Sequence, residues 1–227
     1  MRQIVLDTET TGLSPQGGDR LVEIGCLEIV NQVATGATFH KYINPERDVP
    51  IEAFNVHGLS AERLSTEPKF AEIVEEFLDF IKGDPLIIHN ASFDMGFINH
   101  ELKMTGRPVI EAARAVDTLL IARKRFPGAA NSLDGLCRRF GIDNSGRIKH
   151  GALLDAELLA DVYLELMGGR QPGLVLDAAL DNRKADAGVI ETRAPRATPL
   201  PSRLMPAEAE AHKVFVTELA EGGFWPK

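Results

Sequence analysis

Four acidic residues and one histidine are the residues of this chain best suited to chemistry. Asp7 and Glu9 flank a single threonine directly after a short apolar run. Side chains two residues apart in a strand lie on the same face, and neighbouring carboxylates repel each other unless a cation lies between them. The pair alone is more typical of an exposed turn, but its position after a buried strand favours a metal site.

Two further acids lie near the starts of predicted helices. Asp94 follows an apolar run, and taken alone it is equally consistent with a first-turn acid favoured by the helix dipole. Asp155 lies on the same helical face as a row of apolar residues, so we expect its carboxylate to point toward the core. That row is Leu158, Leu159, Val162 and Leu166. A buried carboxylate needs a metal or a paired cation, because an unpaired charge in the core is very costly.

His150 precedes Asp155 by five residues, a rotation of about 140° on a helix. The two side chains therefore cannot share a face of one continuous helix. We predict that His150 lies on the loop before the helix, free to move over the acids. A lone loop histidine is usually only solvent-exposed, but an imidazole beside such acids can take a proton from water.

Together these residues predict a hydrolytic centre with two divalent ions, Mg²⁺ or Mn²⁺, because hard cations prefer carboxylate oxygens. Two ions about 4 Å apart would activate water on one side of a phosphodiester and stabilise the leaving oxygen on the other. The predicted metal ligands are Asp7, Glu9, Asp94 and Asp155, and with His150 they are the predicted catalytic residues.

The elements that must hold these residues follow from hydrophobic periodicity. Short apolar runs predict strands, and two longer alternating segments predict a hairpin: residues 4–6, 86–88 and 115–116, with 20–30 and 33–43. Helical spacing predicts helices over residues 68–82, 91–104, 132–140 and 152–167. This order predicts an α/β fold with a mixed central sheet flanked by helices.

Composition fits a cytoplasmic globular protein. The 227 residues are 44% hydrophobic, and no apolar run is long enough to span a membrane. A charged residue comes too early for a secretory signal. Cys26 and Cys137 lie in apolar segments without metal-ligand spacing, so we expect reduced core thiols.

The chain is expected to have three parts: a catalytic domain over residues 1–169, a flexible linker over 170–205 and a docking segment over 206–227. The linker lacks periodicity, and the docking segment ends in Phe224 and Trp225. The alternative is a tail that packs on its own domain. Eight basic and eight acidic residues follow Gly169, so the net charge of −8 lies entirely in the first part. Such an acidic domain would grip nucleic acid weakly and would need a partner for processivity.

Three segments resemble the motifs of the DEDDh group of 3′→5′ exonucleases, in the same order and spacing. They are Asp7 to Gly12, Asn90 to Asp94 and His150 to Asp155. The sister group has tyrosine in place of the histidine, so His150 favours the DEDDh group. The resemblance spans roughly residues 2–169, and it implies an RNase H-like exonuclease fold and metal-dependent hydrolysis of a 3′ end.

Within this group the chain resembles the bacterial DNA polymerase III epsilon subunits, which proofread. The shared segments are Val56 to Gly58, Phe126 to Gly128, Asn131 to Leu133 and His150 to Asp155. The resemblance implies that Asp7 bridges both ions, that Glu9 and Asp155 complete one, that Asp94 helps hold the other and that His150 is the general base. It also implies substrate contacts from Glu52, His57 and Leu13, beside Asp7, Glu9 and Asp155.

The same resemblance implies the substrate and partners. A mispaired single-stranded 3′ DNA end frays more readily, which would give proofreading selectivity. Residues 206–227 would bind the polymerase alpha subunit in the replisome at the nucleoid, and Gln171 to Leu176 resembles a beta sliding-clamp peptide without its terminal aromatic residues. Some basic residues are candidates for phosphate contacts, and the alternative is that they form ordinary solvated helix faces: Arg123, Lys124, Arg125, Arg138, Arg139, Arg147 and Lys149. The alternatives are an RNA-trimming exoribonuclease and a non-catalytic scaffold that stabilises a polymerase.

Overall fold

A computed structural model describes residues 1–147, 149–169 and 205–221. The chain divides after Leu174 into two units, which are described separately. The first unit is built on one five-stranded sheet. Its strands are β1 (Arg2–Thr10), β2 (Leu21–Val30), β3 (Val33–Tyr42), β4 (Leu86–Ile88) and β5 (Ala115–Asp117).

The strands follow the order β3-β2-β1-β4-β5 across the sheet. β1, β2 and β3 are antiparallel neighbours, whereas β4 and β5 run parallel to β1, so the predicted mixed sheet is confirmed. The predicted hairpin joins β2 to β3, and Asn31 and Gln32 at its turn both have positive φ. The first strand is longer than predicted: it does not end at Asp7 but pairs with β2 as far as Thr10.

Helices cover both faces of the sheet. In chain order they are α1 (Ile51–His57), α2 (Ala61–Leu64), α3 (Phe70–Ile81), α4 (Ala91–Met104), α5 (Thr118–Arg125), α6 (Leu133–Phe140) and α7 (Ala152–Leu166). The predicted helices are all present, and Ser132 and Gly141 cap the two ends of α6. α1 and α2 were not predicted, because they are short and bury little apolar surface of their own.

The alternation of side chains along β1 divides the core into two layers. Ile4 and Leu6 pack with α3 and α4 on one face, whereas Val5 packs with α6 and α7 on the other. Cys26 and Cys137 are buried free thiols, one in each layer, as predicted. β1 is the central strand of the sheet, so residues at its carboxyl end can meet side chains from both layers.

Gly25 sets the distance between α7 and the sheet. It pairs with Asp7 across β1 and β2. A Cβ atom at position 25 would lie 2.3 Å from the backbone of Ala152 and of Leu153. Only glycine therefore allows the start of α7 to lie against the strand beside Asp7.

The second unit is described only over residues 205–221. The helix α8 (Pro206–Glu221) occupies the stretch where the sequence has a short helical pattern, and Val214, Phe215 and Val216 are exposed on it. The predicted clamp peptide at Gln171 to Leu176, and Phe224 and Trp225, lie outside the described residues. Among the helices that are described, none is long and apolar enough to cross a membrane.

Candidate active site

The four predicted acids meet at the carboxyl end of β1, from both layers of the fold. Asp7 and Glu9 lie two residues apart on β1, on the face that α7 covers. Asp155 is in the first turn of α7, and Asp94 is in the first turn of α4 on the opposite layer. Asp155 is only 2% exposed, so its predicted burial is confirmed, and Asp94 is equally buried at 3%.

The two acids on β1 are close enough to other carboxylates to resist ionisation. Burial, followed by repulsion from Asp94, Asp155 and Glu9, raises the pKa of Asp7 well above its ordinary value. Burial, followed by repulsion from Asp155 and from Glu23, raises the pKa of Glu9 to about 8. Glu23 is the residue that pairs with Glu9 across β1 and β2. Carboxylates this crowded favour a bound cation.

Asp94 is held by groups that the sequence did not single out. The hydroxyl of Thr8 donates a 2.7 Å hydrogen bond to Oδ1 of Asp94. Burial raises the pKa of Asp94 to about 7, although this hydrogen bond opposes the shift. Asp117, at the end of β5, accepts hydrogen bonds from the backbone N–H of Asn90 and of Ala91, where α4 begins. It thereby fixes the helix start that carries Asp94.

Asp155 has an arginine partner. Nε of Arg147 donates to Oδ1 of Asp155 at 2.5 Å, and an η-nitrogen of the same guanidinium donates to Oδ2 at 2.7 Å. The Arg147 side chain is only 8% exposed, and it also donates to Oδ1 of Asp134 at 2.9 Å. The sequence predicts Arg147 only as a candidate phosphate contact, whereas in the structure it binds an acid of the site.

His150 lies on the loop before α7, as predicted, and its side chain is 48% exposed. Its Nδ1 lies 2.7 Å from Arg147 and 3.5 Å from Oδ2 of Asp155. The loop is not free, however. The backbone N–H of His150 donates to the carbonyl of Val56 at 3.2 Å, and the ammonium of Lys149 donates to the carbonyl of Asn55. The carboxyl end of α1 therefore anchors the loop.

The donor atoms suit a divalent cation. One ligand atom each from Glu9, His150 and Asp155 lie within 4.8 Å of one another. Asp7 and Asp94 do not belong to that compact group, but the charge of Asp94 lies close enough to Asp7 to raise the pKa of Asp7. Oxygen donors from buried acids without enough counter-charge fit the chemistry of Mg²⁺ or Mn²⁺.

Two cavities adjoin at these acids. The first, of about 620 Å³, is lined by all four acids together with Arg147 and His150. The second, of about 500 Å³, is lined by the three residues for which the family resemblance implies substrate contacts, Leu13, Glu52 and His57. Glu9, Leu13 and Phe93 line both, so the cavities share a wall. Both volumes are in the range of small-molecule sites.

The second cavity has a polar atom without a partner. Nδ1 of His57 accepts the backbone N–H of Leu59 at 3.0 Å, which leaves the ring proton on Nε2. Nε2 is buried and has no hydrogen-bond partner among the described residues. Burial lowers the pKa of His57, which favours the neutral ring. Glu52 is exposed, and Leu13 is 84% exposed at the rim.

The sequence did not predict the roles that four residues of the site have in the structure: Thr8, Gly25, Asp117 and Arg147. Thr8 lies between two predicted ligands, so its position alone could have marked it for attention. The contacts of Gly25, Asp117 and Arg147 join residues distant in the fold or on an irregular loop, and no periodicity in the sequence signals them.

Comparisons with known proteins agree with this geometry. Residues 4–163 match the family model described as Exonuclease. The chain is 47% identical to the DNA polymerase III subunit epsilon of Rickettsia felis over 96% of this chain and 97% of that one. It is 51% identical to the subunit of the same name from Escherichia coli K12, over 74% of this chain and 72% of that one.

Solved structures show the same fold. The nuclease domain of 3′hExo, a DEDDh family member bound to rAMP, superposes with a TM-score of 0.64 at 16% identity. The match covers 73% of this chain and 91% of that one. The predicted RNase H-like exonuclease fold is therefore confirmed.

Proposed function

The chain belongs to the exonuclease family and, within it, to the DNA polymerase III epsilon subunits, and on this premise we propose that it excises mispaired nucleotides from the 3′ end of DNA during replication. The reaction is hydrolysis of the terminal phosphodiester in the 3′→5′ direction. The observation that supports this most is the meeting of four acids and His150 around one cavity, beside a second cavity of suitable size for a nucleotide.

Asp7, Glu9, Asp94 and Asp155 would hold two divalent ions, Mg²⁺ or Mn²⁺, and the raised pKa values of Asp7, Glu9 and Asp94 support this assignment. When bound, such ions supply Lewis-acid stabilisation of negative charge on the oxygens of a phosphodiester. The protein contributes by keeping these carboxylates fixed on buried elements before substrate arrives. Preorganised charge of this kind does not have to rearrange during the reaction.

His150 is the proposed general base. Its half-exposed side chain borders the first cavity, within reach of a water molecule beside a bound phosphate. An imidazole that takes a proton from attacking water typically contributes a factor of about 10² to 10⁴. The backbone hydrogen bond to Val56 holds the backbone of His150 in place beside the acids. The ring itself must exchange its contact with Arg147 for one with water.

The second cavity is the proposed pocket for the 3′-terminal nucleotide. The unpartnered Nε2–H of His57 offers a donor, Glu52 offers an acceptor, and Leu13 offers an apolar surface for a base. Nothing in this set distinguishes one base from another. Selectivity then comes from the cost of unpairing the terminal nucleotide, which is lower for a mismatch.

Arg123 is the proposed contact for a backbone phosphate. It is exposed on α5, lines the first cavity and forms no ion pair with any described residue. Its neighbour Lys124 is also exposed but does not line either cavity. One unpaired guanidinium at the cleft agrees with a low affinity for DNA, which a partner protein would have to compensate.

We propose residues 206–227 as the segment that docks on the polymerase alpha subunit. The similarity to the Rickettsia felis subunit covers 96% of this chain and therefore includes much of the region beyond Gly169. The exposed Val214, Phe215 and Val216 on α8 offer apolar side chains for such a contact. Tethering would raise the local concentration of the nuclease at the primer end in the bacterial cytoplasm. Gln171 to Leu176 remains a proposed contact for the beta clamp.

One assay separates this function from its alternatives. The purified full chain is given Mg²⁺ or Mn²⁺ and four substrates of matched sequence: a paired primer, a primer with a mispaired 3′ end, single-stranded DNA and single-stranded RNA. We expect the mispaired and single-stranded DNA ends to be degraded faster than the paired end and the RNA. Faster degradation of RNA would support the exoribonuclease. Absence of metal-dependent hydrolysis on every substrate would support the scaffold.

A pull-down tests the partner separately. The full chain and a variant lacking residues 206–227 are each mixed with purified polymerase alpha subunit. We expect the full chain alone to be retained, while both proteins keep the same rate on single-stranded DNA. Equal retention of both would contradict the assignment of the docking segment without affecting the nuclease.

A further inference from the structure

All three nitrogen atoms of the Arg147 guanidinium contact residues of the acidic cluster or its edge. It binds both carboxylate oxygens of Asp155, at 2.5 and 2.7 Å. It also lies 2.7 Å from Nδ1 of His150 and donates to Asp134 at 2.9 Å. Because an arginine has only donors, Nδ1 of His150 must be the acceptor in this contact. A buried cation thus occupies the lone pairs of two of the proposed catalytic residues.

A divalent ion would bind to atoms of the same residues. The compact group of potential ligand atoms consists of Glu9, His150 and Asp155. Arg147 already engages two of these three residues, and it engages both oxygens of Asp155. Each of these oxygens has a second lone pair, but an ion bound there would bring its two positive charges close to the guanidinium, and the two cations repel each other. Arg147 and a divalent ion therefore compete for Asp155.

The surroundings of Arg147 allow it to move without unfolding the loop. Asp134 is about half-exposed and already binds one η-nitrogen of Arg147, so this contact can persist when the others break. Two contacts beside it do not involve the Arg147 side chain: the side-chain amide of Asn144 donates to Oδ1 of Asp134, and the backbone N–H of His150 donates to the carbonyl of Val56. Only the side chain has to turn, and rotamer changes of this kind are fast.

We propose, on the basis of the function proposed above, that Arg147 is an exchangeable counter-cation: it neutralises Asp155 and restrains His150 in the metal-free protein, and a divalent ion displaces it toward Asp134. Arg147 is thereby a positioning residue that acts through Asp155 and His150. Displacement frees Nδ1 of His150 at the moment when the acids receive their ion. In the metal-free state the buried carboxylate of Asp155 is paired with Arg147. In the metal-bound state His150 is free to act as a base.

Electrostatics support the first half of this exchange. In the metal-free protein, the positive charge of Arg147 lowers the pKa of both Asp7 and Glu9, against burial and the repulsion of the neighbouring acids. Burial lowers the pKa of Arg147, but its bonds to Asp155 and Asp134 outweigh that effect and raise it. In the metal-free protein, Arg147 is therefore held in the cluster as its positive charge.

The test compares thermal unfolding in EDTA and in saturating Mn²⁺ for the full chain and three variants. Arg147→Gln removes the charge, Arg147→Lys keeps it without a bidentate fork, and Arg138→Gln removes an exposed arginine of α6 as a matched control. We expect Arg147→Gln to lower Tm by on the order of 5–10 °C in EDTA but by less than about 2 °C in Mn²⁺. The Lys variant should fall between, and the control should shift equally in both.

Titration calorimetry with Mn²⁺ provides the second readout. Removing the competitor should tighten Mn²⁺ binding by about tenfold in Arg147→Gln, with a smaller gain in Arg147→Lys and none in Arg138→Gln. An equal loss of Tm in both media would mean that Arg147 stays on Asp155 when the ion binds, which overturns the exchange while leaving the metal site intact. If Mn²⁺ failed to stabilise even the unaltered chain, both the exchange and the proposed hydrolytic centre would be wrong.

Discussion

The two sides of the acidic cluster differ in how their charge is compensated. On the strand side, formed by Asp7, Glu9 and Asp94, no described residue forms an ion pair with any of the acids, and the pKa of each is raised. On the loop side, formed by Arg147, His150 and Asp155, the acid has a bidentate arginine partner. Within the described part of the chain, the strand side therefore lacks a paired cation, whereas the loop side has one in Arg147.

This difference separates two tasks within one site. The strand side lies on β1 and α4, elements of the core, so its geometry is fixed and its charge can be balanced only by a bound ion or a proton. On the loop side Asp155 is fixed in the first turn of α7, but Arg147 lies on the irregular segment before that helix, and its side chain can turn away. Rigid acids give a metal site its position, whereas a movable cation decides when the site is available.

The largest expected effect comes from the strand side. Asp7→Asn removes a ligand that the family resemblance assigns to both ions, so we expect hydrolysis of single-stranded DNA to fall by a factor on the order of 10³ or more. Because the substitution also removes repulsion, Tm in EDTA should not fall. Asp48→Asn, at an exposed position, is the control and should keep full activity. An active Asp7→Asn would mean that the strand side is not a metal site.

The next effect tests the loop side. His150→Gln removes the proposed base, and we expect kcat to fall by about 10²- to 10⁴-fold while Mn²⁺ affinity changes much less. His100→Gln on α4 serves as control, because it changes a histidine outside the cavities at the acids. If affinity for Mn²⁺ fell as steeply as kcat, His150 would be mainly a ligand, and the two sides would not differ in task.

A third prediction uses pH on the metal-free protein. Glu9 has an ordinary pKa of 4.5 and a pKa of about 8 in the fold, so the folded state holds this proton more tightly. The resulting stabilisation is fully present below about pH 4.5 and is lost as the pH rises through about 8. We expect the free energy of unfolding in EDTA to fall by about 2–4 kcal/mol between pH 5 and pH 8.

Denaturant titrations across that pH range measure this change. Saturating Mn²⁺ should reduce the decline, because the ion takes the place of the protons on the strand side. Asp7→Asn should reduce it as well, since it removes a second carboxyl group whose pKa the fold raises. A metal-free stability that is constant from pH 5 to pH 8 would show that the strand-side acids are compensated in some other way.

The smallest expected effect concerns the support of Asp94. Thr8→Val keeps the shape of the side chain but removes the 2.7 Å hydrogen bond to Oδ1 of Asp94. We expect Mn²⁺ affinity at pH 7 to weaken by about 10- to 100-fold, as is usual when a partner of a metal ligand is lost. Thr10→Val is the matched control, because that hydroxyl is equally buried and donates to the Gly12 carbonyl instead. Equal effects of the two changes would point to strand packing as the cause.

Hydrophobic periodicity predicted helices and strands well wherever an element buries one regular apolar face. α4 begins and ends at the predicted residues, and the hairpin turn at Asn31 and Gln32 is where expected. α1 was missed because Ile51 and Val56 are exposed, so its seven residues carry no apolar stripe. β1 was predicted too short because its last residues, Thr8, Glu9 and Thr10, are polar although they are buried.

The sequence by itself determined which residues could form the cluster, since Asp155 lies on an apolar helical face and Asp7 and Glu9 share one face of a strand. Periodicity records which way a side chain points within its own element. Only the tertiary structure decided how close α7 lies to β2 at Gly25, that Thr8 supports Asp94, and that Arg147 turns onto Asp155. These contacts join different elements through an irregular loop or a single close approach, and such contacts leave no repeating pattern in the chain.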